Sequence, residues 1–530
     1  MRRTTWCSAV AGSACVLVAG AQAGLAGPAQ AAAPLAAAPQ AAAPLAAAAQ
    51  AARPAVANDF DGDGRGDLAV GVPGAEVGGV RRAGAVVLRY SRFDLPAVRL
   101  AQGARGLPGN AESHDGFGRT LAGGDFDGDG YADLAVAAPF EDVSGADDAG
   151  SVLVLYGSRS GLHAGQVLAQ NTPGIPGPAA SGSWFGEALA AGDSDGDGRD
   201  ELAVGAPKQR VADGSGRVVV VPGSAGGLVA DRAQGWSQAT EGVRGVPELY
   251  DDFGSALAFG DTDGDGQADL VVGVPGENDG GTVQVLPGSA SGVSPSLARP
   301  LRGPAGSSGW GGSLVSGDLD GNERADVVGR VTEVVGTTDE DEYDFSSLVV
   351  VQAGAQGLRQ SGVQLLRARS APVPGPAGRG DESFQGLDLG DVDGDGHDDL
   401  VAGLRPATSG PGEEAVVVVR GSAAGLVAAG GRRFSQSSPG IPGSAERGDG
   451  FGAAVAAYDR DADGFADLAV GAPFEDDGGL VNAGRVTLVP GSASGPQASG
   501  TVVSTRSLGL RSSAGQELGW TVGPGGVRAD

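Results

Sequence analysis

The sequence is short of the residues that bind transition metals and of those that cross-link secreted domains. Only two of its 530 residues are cysteine and three are histidine. Both cysteines, Cys7 and Cys15, lie near the N-terminus, so disulfide bonds are not expected to stabilise the rest of the chain. Zinc and copper sites are built from cysteine and histidine, so neither metal is expected.

Basic residues and uninterrupted apolar runs are also scarce. Lys and Arg together number 36 against 65 Asp and Glu, and the formal net charge is -29. Phosphate backbones attract basic surfaces, so nucleic acid is not expected as a partner. The 97 glycines interrupt almost every segment beyond the N-terminus, which disfavours helices and predicts short strands joined by turns.

Three segments of different composition divide the chain. Residues 1–30 have the features of a signal peptide, in which Arg2 and Arg3 precede an apolar stretch and sites with small residues follow. Residues 31–54 are rich in Ala and Pro and predict a linker. Residues 55–530 form the folded part, and we expect a secreted monomer with no membrane span in the mature chain. A membrane-spanning helix is the alternative interpretation of the first segment.

One acidic segment, which reads DFDGDGRGD at residues 59–67, recurs along the chain. The first aspartates of its seven copies are Asp59, Asp125, Asp193, Asp261, Asp318, Asp391 and Asp459. The intervals run from 57 residues (261 to 318) to 73 residues (318 to 391), and such a nearly fixed period indicates a repeat architecture.

Each unit contains the same succession of short elements. An aromatic–glycine pair such as Phe117–Gly118 precedes the acidic segment, and apolar runs such as DLAVAAP and SVLVLYG follow it. We therefore predict about four strands in each unit. A single small sheet cannot bury its own faces, so the units must stack, and seven of them predict an all-β fold, a seven-bladed β-propeller. A linear solenoid is the alternative.

The two ends of the repeat region favour a closed ring. The first unit has no aromatic–glycine pair, because the linker leads directly into its acidic segment. The sequence GQELGWTVG near the C-terminus resembles the missing element, with Leu518–Gly519 in the place of the pair. We expect this segment to complete the first blade and close the ring.

The acidic segment has the pattern of a loop that binds a hard cation. Acids occupy positions 1, 3, 5 and 9, glycine usually occupies position 6, and the backbone carbonyl of position 7 is expected to face inward. An all-oxygen ligand set favours calcium, for which we expect a structural role. An EF-hand does not fit, because position 12 of the first copy, Val70, falls in a predicted strand. An acidic surface turn without a metal is the alternative.

The predicted ligands differ between copies. The five complete copies provide Asp59, Asp61, Asp63, Asp67, Asp125, Asp127, Asp129, Asp133, Asp261, Asp263, Asp265, Asp269, Asp391, Asp393, Asp395, Asp399, Asp459, Asp461, Asp463 and Asp467. The third copy provides Asp193, Asp195, Asp197 and the longer Glu201. The fifth provides Asp318, Asp320, Asn322 and Asp326, with Glu323 in place of glycine, so weak binding or none is expected. The predicted carbonyl ligands at position 7 belong to Arg65, Tyr131, Arg199, Gln267, His397 and Phe465.

The aromatic–glycine pair, the D-x-D-x-D-G-x-x-D-L loop and the following VGAP together resemble the FG-GAP repeats of the integrin α-subunit N-terminal propeller. Secreted bacterial proteins with integrin-like repeats are similar. The resemblance covers about residues 55–530. It implies a calcium loop between the first two strands of a blade, on the lower face, and partner binding on the opposite face. Because nearly every blade carries the loop, it also implies a propeller that depends on calcium for its stability.

The combined interpretation is a secreted calcium-binding module for protein or glycan binding, or for cell adhesion, rather than an enzyme. No catalytic residues are identified. The alternative is an extracellular polysaccharide hydrolase or lyase that uses carboxylates on a face of the propeller.

Two further patterns are weighed against simpler explanations. Arg-Gly-Asp tripeptides occur at 65–67, 379–381 and 447–449, but Asp67 is a predicted metal ligand that should turn inward, and no adhesive role is expected for any of the three. Tryptophans near the blade starts can stack on sugars, but we expect core positions for them. These residues are Trp184, Trp236 and Trp310.

Overall fold

The structure is a computed structural model, and it describes residues 55–523 except 93–94, 105, 213, 296–298, 336–342, 369, 375–381, 407–412 and 511–512. These residues form strands, turns and two short 3-10 helices, Ala230–Arg232 and Glu277–Asp279, and they contain no α-helix. None of their helices is long and apolar enough to cross a membrane. The predicted signal peptide and linker, residues 1–54, lie outside the described residues.

The strands of the described residues assemble into seven sheets, which we number as blades in chain order. Blade 1 contains β29 (Thr521–Val522), β1 (Leu68–Val72), β2 (Ala85–Arg89) and β3 (Val98–Leu100). Blade 2 contains β4 (Leu121–Gly124), β5 (Asp133–Ala138), β6 (Ser151–Tyr156) and β7 (His163–Ala169). Blade 3 contains β8 (Ala188–Gly192), β9 (Glu201–Val211), β10 (Gly214–Val221) and β11 (Gln234–Trp236).

Four further blades follow along the chain. Blade 4 contains β12 (Leu257–Gly260), β13 (Asp269–Val274), β14 (Thr282–Leu286) and β15 (Arg299–Arg302). Blade 5 contains β16 (Ser307–Ser308), β17 (Leu314–Gly317), β18 (Asp326–Val335), β19 (Tyr343–Gly354) and β20 (Gly357–Leu366). Blade 6 contains β21 (Glu382–Gly390), β22 (Asp399–Pro406), β23 (Ala415–Arg420) and β24 (Val427–Phe434). Blade 7 contains β25 (Ala454–Tyr458), β26 (Asp467–Ala472), β27 (Arg485–Val489) and β28 (Thr501–Val503).

Each blade is an antiparallel meander, and the first strands of neighbouring blades lie side by side around the centre of the ring. In blade 2 the register places Leu134 of β5 opposite Gly123 of β4 and opposite Leu155 of β6. The middle strands β5 and β6 are buried at every position. Neighbouring blades cover both faces of each sheet, which explains why these strands read as continuous apolar runs.

Seven hydrophobic clusters lie between the blades, one for each neighbouring pair. Between blades 2 and 3, Val154 and Val204 belong to one such cluster. Between blades 7 and 1, Leu488 packs in a cluster with Val70 and Val522. Because this last interface is packed like the other six, the ring is closed. The fold is the predicted seven-bladed β-propeller, and the solenoid alternative is wrong.

The predicted closure by the C-terminal segment is confirmed. Strand β29 pairs with β1, so that Val522 lies opposite Val70 and Thr521 lies opposite Gly71. Leu518 is fully buried in the cluster between blades 7 and 1, which is the place that Phe117 takes between blades 1 and 2. The innermost strand of blade 1 therefore comes from the far end of the chain.

The aromatic–glycine pairs are joints between neighbouring blades. Phe117 is buried, and its amide donates a hydrogen bond to the carbonyl of Ala83 in blade 1 (3.1 Å). Gly118 has a φ of +87°, and a Cβ atom there would lie 2.5 Å from the carbonyl oxygen of Ala85, so only glycine fits. In the stretched pair of the sixth copy, Phe384 is buried as well, and the extra residue is accommodated by a bulge in β21.

Two details differ from the predictions. Blade 5 has a fifth strand, because the two-residue β16 pairs with one end of the long β18 while β17 pairs with the other end. Of the three tryptophans expected in the core, Trp310 is fully buried, but Trp184 and Trp236 are only half-buried. A core position is therefore wrong for Trp184, whereas Trp236 packs against the hydrophobic cluster between blades 3 and 4.

Candidate metal centres

The acidic segments form a ring of loops at one end of the blades. In blades 2 to 4, 6 and 7 each loop connects the first two strands, as the loop between β4 and β5 does, and in blade 5 it connects β17 to β18. Neighbouring loops are joined through the backbone. The amide of Ala132 donates a hydrogen bond to the carbonyl of Asp59 in the preceding loop (2.9 Å). The amide of Ser158 donates to the carbonyl of Phe60 in the same preceding loop (3.1 Å). We call this end the loop face, and the end with the aromatic–glycine pairs the opposite face.

The loop of blade 2 illustrates the local geometry. The carboxylate of Asp125 at position 1 accepts a hydrogen bond from the amide of Gly130 (3.0 Å), which curls the backbone around it. Asp127 accepts from the amide of Asp129 (3.1 Å), and Asp129 accepts from the amide of Tyr131 at position 7 (3.0 Å). Gly130 at position 6 has a φ of +87°, which favours glycine. Alternate side chains consequently point to the inside of one tight turn.

In each of loops 1 to 5, three carboxylates come together, with one oxygen atom of each within 4.8 Å of the others. Positions 1, 3 and 9 meet in loops 1, 2 and 5, namely Asp59, Asp61 and Asp67, then Asp125, Asp127 and Asp133, then Asp318, Asp320 and Asp326. Positions 1, 3 and 5 meet in loops 3 and 4, namely Asp193, Asp195 and Asp197, then Asp261, Asp263 and Asp265. Loops 6 and 7 make the same turn, since Gly396 donates to Asp391 and Gly464 donates to Asp459 (2.9 Å each).

Several carboxylate oxygens in these loops are buried and have no hydrogen-bond partner among the described residues. Those at position 3 include oxygens of Asp263, Asp320 and Asp461. Oδ2 of Asp61 has no hydrogen bond either, but it lies 4.0 Å from Nε of Arg92. A buried oxygen without a donor is unfavourable unless a cation compensates it. In loop 6 the guanidinium of Arg420 supplies positive charge, because it contacts Asp393, Asp395 (3.2 Å) and Asp399 (3.4 Å). This donor set therefore fits a hard divalent cation.

The electrostatics of the loops leads to the same conclusion. Burial, reinforced by neighbouring carboxylates, raises the pKa of Asp61 and Asp127 at position 3 to about 6. Burial raises the pKa of Asp67 and Asp133 at position 9 to about 8, although backbone hydrogen bonds oppose the shift. Full ionisation of these groups at neutral pH requires positive charge nearby, which a bound divalent cation would supply.

The acid at position 9 has a second role that the sequence does not predict. Asp133 is fully buried, and its two oxygens accept hydrogen bonds from the amides of Phe126 at position 2 (2.9 Å) and Gly157 after β6 (2.8 Å). It therefore fixes the loop to the third strand of its own blade. In loop 3 the longer Glu201 accepts instead from the amide (2.8 Å) and the hydroxyl (2.6 Å) of Ser194.

Loop 5 keeps this geometry despite its two departures from the pattern. The side-chain amide of Asn322 donates to the carbonyl of Ala353 (3.0 Å), and its Oδ1 is buried without a partner among the described residues. Glu323 adopts the left-handed φ of +63° that glycine adopts in the complete copies. Three carboxylates and one amide oxygen are thus present, and weak binding at this loop stays a prediction.

Two acids at position 8 make contacts between blades that sequence reasoning missed. The carboxylate of Asp200 accepts from the amide of Asp125 in the preceding loop (2.8 Å), and that of Asp398 accepts from the amide of Asp318 (2.9 Å). Each ties the start of one loop to the next blade. Position 8 is alanine in four of the seven copies, so no repeated pattern signals this role.

The Arg-Gly-Asp tripeptides do not display their aspartates. Asp67 is fully buried, and Asp449 is buried and accepts a hydrogen bond from the amide of Glu446 (2.9 Å). Residues 379–381 lie outside the described residues.

A second series of carboxylates lies on the opposite face. Glu141 accepts a hydrogen bond from Gln102 of the preceding blade (2.6 Å). In blade 3 a neutral residue takes the equivalent place, since Gln209 is bonded to Gln170 (2.5 Å). Further bonds of this type join Gln238 to Glu277 and Gln436 to Glu475. Because glutamine serves equally well, these side chains connect blades, and they give no support to a carboxylate-based enzyme.

The fold and its loops define a class of protein, a seven-bladed β-propeller with an acidic loop in every blade. The chain contains FG-GAP repeats and folds as an integrin-α-like propeller. The profile of the FG-GAP repeat matches residues 51–88, 117–155, 185–221, 253–286 and 451–489, which belong to blades 1 to 4 and 7.

Curated relatives share parts of this propeller. Phosphatidylinositol-glycan-specific phospholipase D of Mus musculus is 34% identical over 152 residues, which are 28% of this chain and 17% of that protein. Integrin alpha-PS2 of Drosophila melanogaster is 34% identical over 228 residues, 41% of this chain and 15% of that protein. Integrin alpha-IIb of Homo sapiens is 40% identical over 153 residues, 28% of this chain and 14% of that protein. The aligned region thus spans less than a fifth of each relative.

Proposed function

We propose that this chain is a secreted binding module, stabilised by calcium, that recognises an extracellular protein or glycan with its opposite face. The observation that carries the proposal is the set of buried carboxylate oxygens at position 3 of the loops that have no hydrogen-bond partner among the described residues, as in Asp263 and Asp320. Such oxygens recur at the same place in several blades, so a cation in each loop explains them together.

Calcium is the cation that the ligand set favours. The acids at positions 1, 3, 5 and 9 would hold it, and all of their donor atoms are oxygens. Bound calcium would neutralise the carboxylates and hold each loop in its curled form. For dissociation constants of about 10⁻⁴ to 10⁻³ M and about 10 mM calcium, each site stabilises the fold by roughly 1.4–2.7 kcal/mol.

The binding role does not include catalysis. The integrin α relatives support a non-enzymatic propeller and an extracellular location. The phospholipase D relative is matched over only 17% of its length, so its activity is not transferred to this chain. The proposed partner binds the opposite face because the acids of the loop face are engaged within the loops and between neighbouring blades.

Limited proteolysis tests the calcium part of this proposal. Arg65 and Arg199 stand at position 7 of loops 1 and 3, where trypsin cleaves if the loops open. We expect chelation with EDTA to lower the melting temperature and to expose both sites to cleavage, because the carboxylates then repel one another. Calcium should restore the melting temperature and the protection, whereas magnesium should do so less well, since it demands a smaller octahedral site.

An internal control makes the result specific. Arg81 is exposed on the opposite face, and cleavage there should proceed equally with calcium and with EDTA. An unchanged melting temperature in EDTA, or equal protection of Arg199 in both conditions, would contradict the proposed role of calcium.

A further inference from the structure

A cavity of about 340 Å³ opens at the centre of the opposite face. Its lining comes from the residues that follow the aromatic–glycine pairs, among them Arg119 of blade 2, Glu187 of blade 3, Ser255 of blade 4 and Trp520 of blade 1. These positions differ from blade to blade, so the cavity is built from the residues that break the repeat. Its volume is in the range of small-ligand sites.

Lys208 is the only lysine in the sequence, and it lines this cavity. Its ammonium group lies 5.6 Å from the ring centroid of Trp184 and forms an ion pair with Asp252 (2.5 Å). Blade 2 has Phe140 at the equivalent position, after the proline that ends the second strand. An ammonium group has three N–H donors, and the bond to Asp252 uses one of them.

Further cations face the same cavity. The guanidinium of Arg119 is bonded to Glu187 (3.0 Å) and lies 5.6 Å from the ring centroid of Trp520. Arg330 also lines the cavity. Three cations therefore stand against two carboxylates, Glu187 in the lining and Asp252 bonded to Lys208, in a chain whose net charge is -29. Cation–π contacts hold two of these cations in place, so the positive site is formed in advance.

Two of the side chains at this site stand where most blades have a left-handed backbone conformation. The residue before the buried joint residue has a positive φ in every blade except blade 6, and it is glycine at Gly116, Gly309 and Gly450. In blades 3 and 4 it is Trp184, with a φ of +57°, and Asp252, with a φ of +56°. Positive φ is unfavourable for tryptophan and better tolerated by aspartate, and Glu517 shares it at the joint of blade 1. Trp184 and Asp252 are the two residues that hold the ammonium of Lys208.

Three hydroxyl groups in the lining already donate their hydrogen bonds within the protein. Each donates to a backbone carbonyl: Thr120 to that of residue 187 (3.0 Å), Ser255 to that of residue 252 (2.8 Å) and Thr521 to that of residue 119 (2.6 Å). Their oxygens can only accept hydrogen bonds from a ligand. The cavity thus combines cationic donors for an anionic group with acceptors for hydroxyl groups.

We propose that this cavity binds a sugar acid, such as a uronate residue at the end of an extracellular glycan. The inference rests on the binding role proposed above and names its ligand class. The carboxylate of the ligand pairs with Lys208 and Arg119, and its hydroxyl groups donate to the three hydroxyl oxygens of the lining. An acidic peptide fits less well because the side chains of aspartate and glutamate bring no O–H donor. A polyanion is disfavoured by the strongly negative net charge of the chain.

The single lysine provides a direct probe of the cavity. Reductive methylation with 13C-formaldehyde labels Lys208 and the α-amino group, and the spectrum of Lys208→Gln identifies the lysine signal. The full chain, in calcium, is titrated with glucuronate, with glucose as its neutral analogue, and with a short acidic peptide. We expect a saturable shift of the lysine signal with glucuronate only. Calorimetry on unlabelled protein should show about a tenfold or greater loss of glucuronate affinity in Lys208→Gln.

Arg159→Gln is the matched control, because it removes the same charge from an exposed turn on the loop face and should leave the affinity unchanged. No shift with glucuronate, an equal shift with glucose, a shift with the peptide instead, or unchanged affinity in Lys208→Gln would overturn the proposal. If that variant does not fold, the pH titration of the two labelled amines assigns the signals in the parent protein. The proteolysis assay contains no sugar, so a failed calcium proposal and a failed ligand proposal are told apart.

Discussion

Two aspartates of the same loop offer the sharpest comparison of metal binding with hydrogen bonding. Asp127 at position 3 of loop 2 accepts one backbone hydrogen bond, from Asp129 (3.1 Å). Asp133 at position 9 uses both oxygens, which accept from Phe126 (2.9 Å) and Gly157 (2.8 Å). Replacement of each by asparagine preserves the size of the side chain and removes its charge. We expect the two variants to respond differently to chelation.

In EDTA, Asp133→Asn should lower the free energy of unfolding by up to about 3 kcal/mol, because its amide nitrogen cannot accept and one buried N–H loses its partner. Removal of the buried charge, whose pKa burial raises to about 8, offsets part of this loss at pH 8. Asp127→Asn should leave the free energy of unfolding unchanged or raise it at pH 8. Burial raises the pKa of Asp127 to about 6, so the stability that its protonated form contributes in acid is lost as the pH rises through 6. After allowance for partial exposure, the neutral side chain gains about 1 kcal/mol or less.

In about 10 mM calcium, each variant should in addition lose the stabilisation linked to one site, roughly 1.4–2.7 kcal/mol. Urea unfolding followed by tryptophan fluorescence, at pH 8 in EDTA and in calcium, measures all four quantities. Asp231→Asn replaces an exposed acid outside the loops and should change neither condition. If Asp127→Asn destabilises the protein equally in EDTA and in calcium, its carboxylate acts through packing alone and the reasoning is refuted.

Two further substitutions test the closure of the ring and the contacts on the opposite face. Leu518→Ala removes a fully buried side chain from the interface of blades 7 and 1. It should lower the free energy of unfolding, measured in urea, by about 2–5 kcal/mol. A loss well below this range would mean that the interface does not close the ring. Glu141→Gln should raise the melting temperature at pH 8 but not at pH 5. Burial raises the pKa of Glu141 to about 7, so its protonated form stabilises the fold in acid and this contribution is lost as the pH rises through 7. The exposed Glu76→Gln is the control, and an equal change at both pH values would contradict the assignment.

The architecture could be predicted because its determinants recur. Every copy repeats the acidic segment, the apolar strands and, with one substitution, the buried residue that joins two blades, so seven weak signals add up to one strong one. The closure of the ring by the C-terminal segment could also be predicted, since Leu518–Gly519 occupies the place that an aromatic–glycine pair takes in the other blades. Local patterns of this kind depend only on residues that are close in the sequence.

The remaining features depend on contacts that join distant parts of the chain. The second oxygen of Asp133 reaches Gly157 across two strands, and Asp200 reaches the loop of the preceding blade. The central cavity is lined by Lys208, Trp520 and residues of other blades, which are far apart in the sequence. Such groupings exist only after the ring has closed. For the same reason, proximity to a blade start did not reveal that Trp184 lies in the cavity rather than in the core.

The number of calcium ions bound by the chain shows whether the acidic loops are metal sites. The chain is first stripped with a chelator and then dialysed to equilibrium against calcium, and the bound metal is counted by atomic absorption. The account predicts between five and seven ions per chain, five from the complete loops and up to two more from loops 3 and 5. A count of zero or one would contradict it, because the repeated carboxylate clusters would then need another explanation.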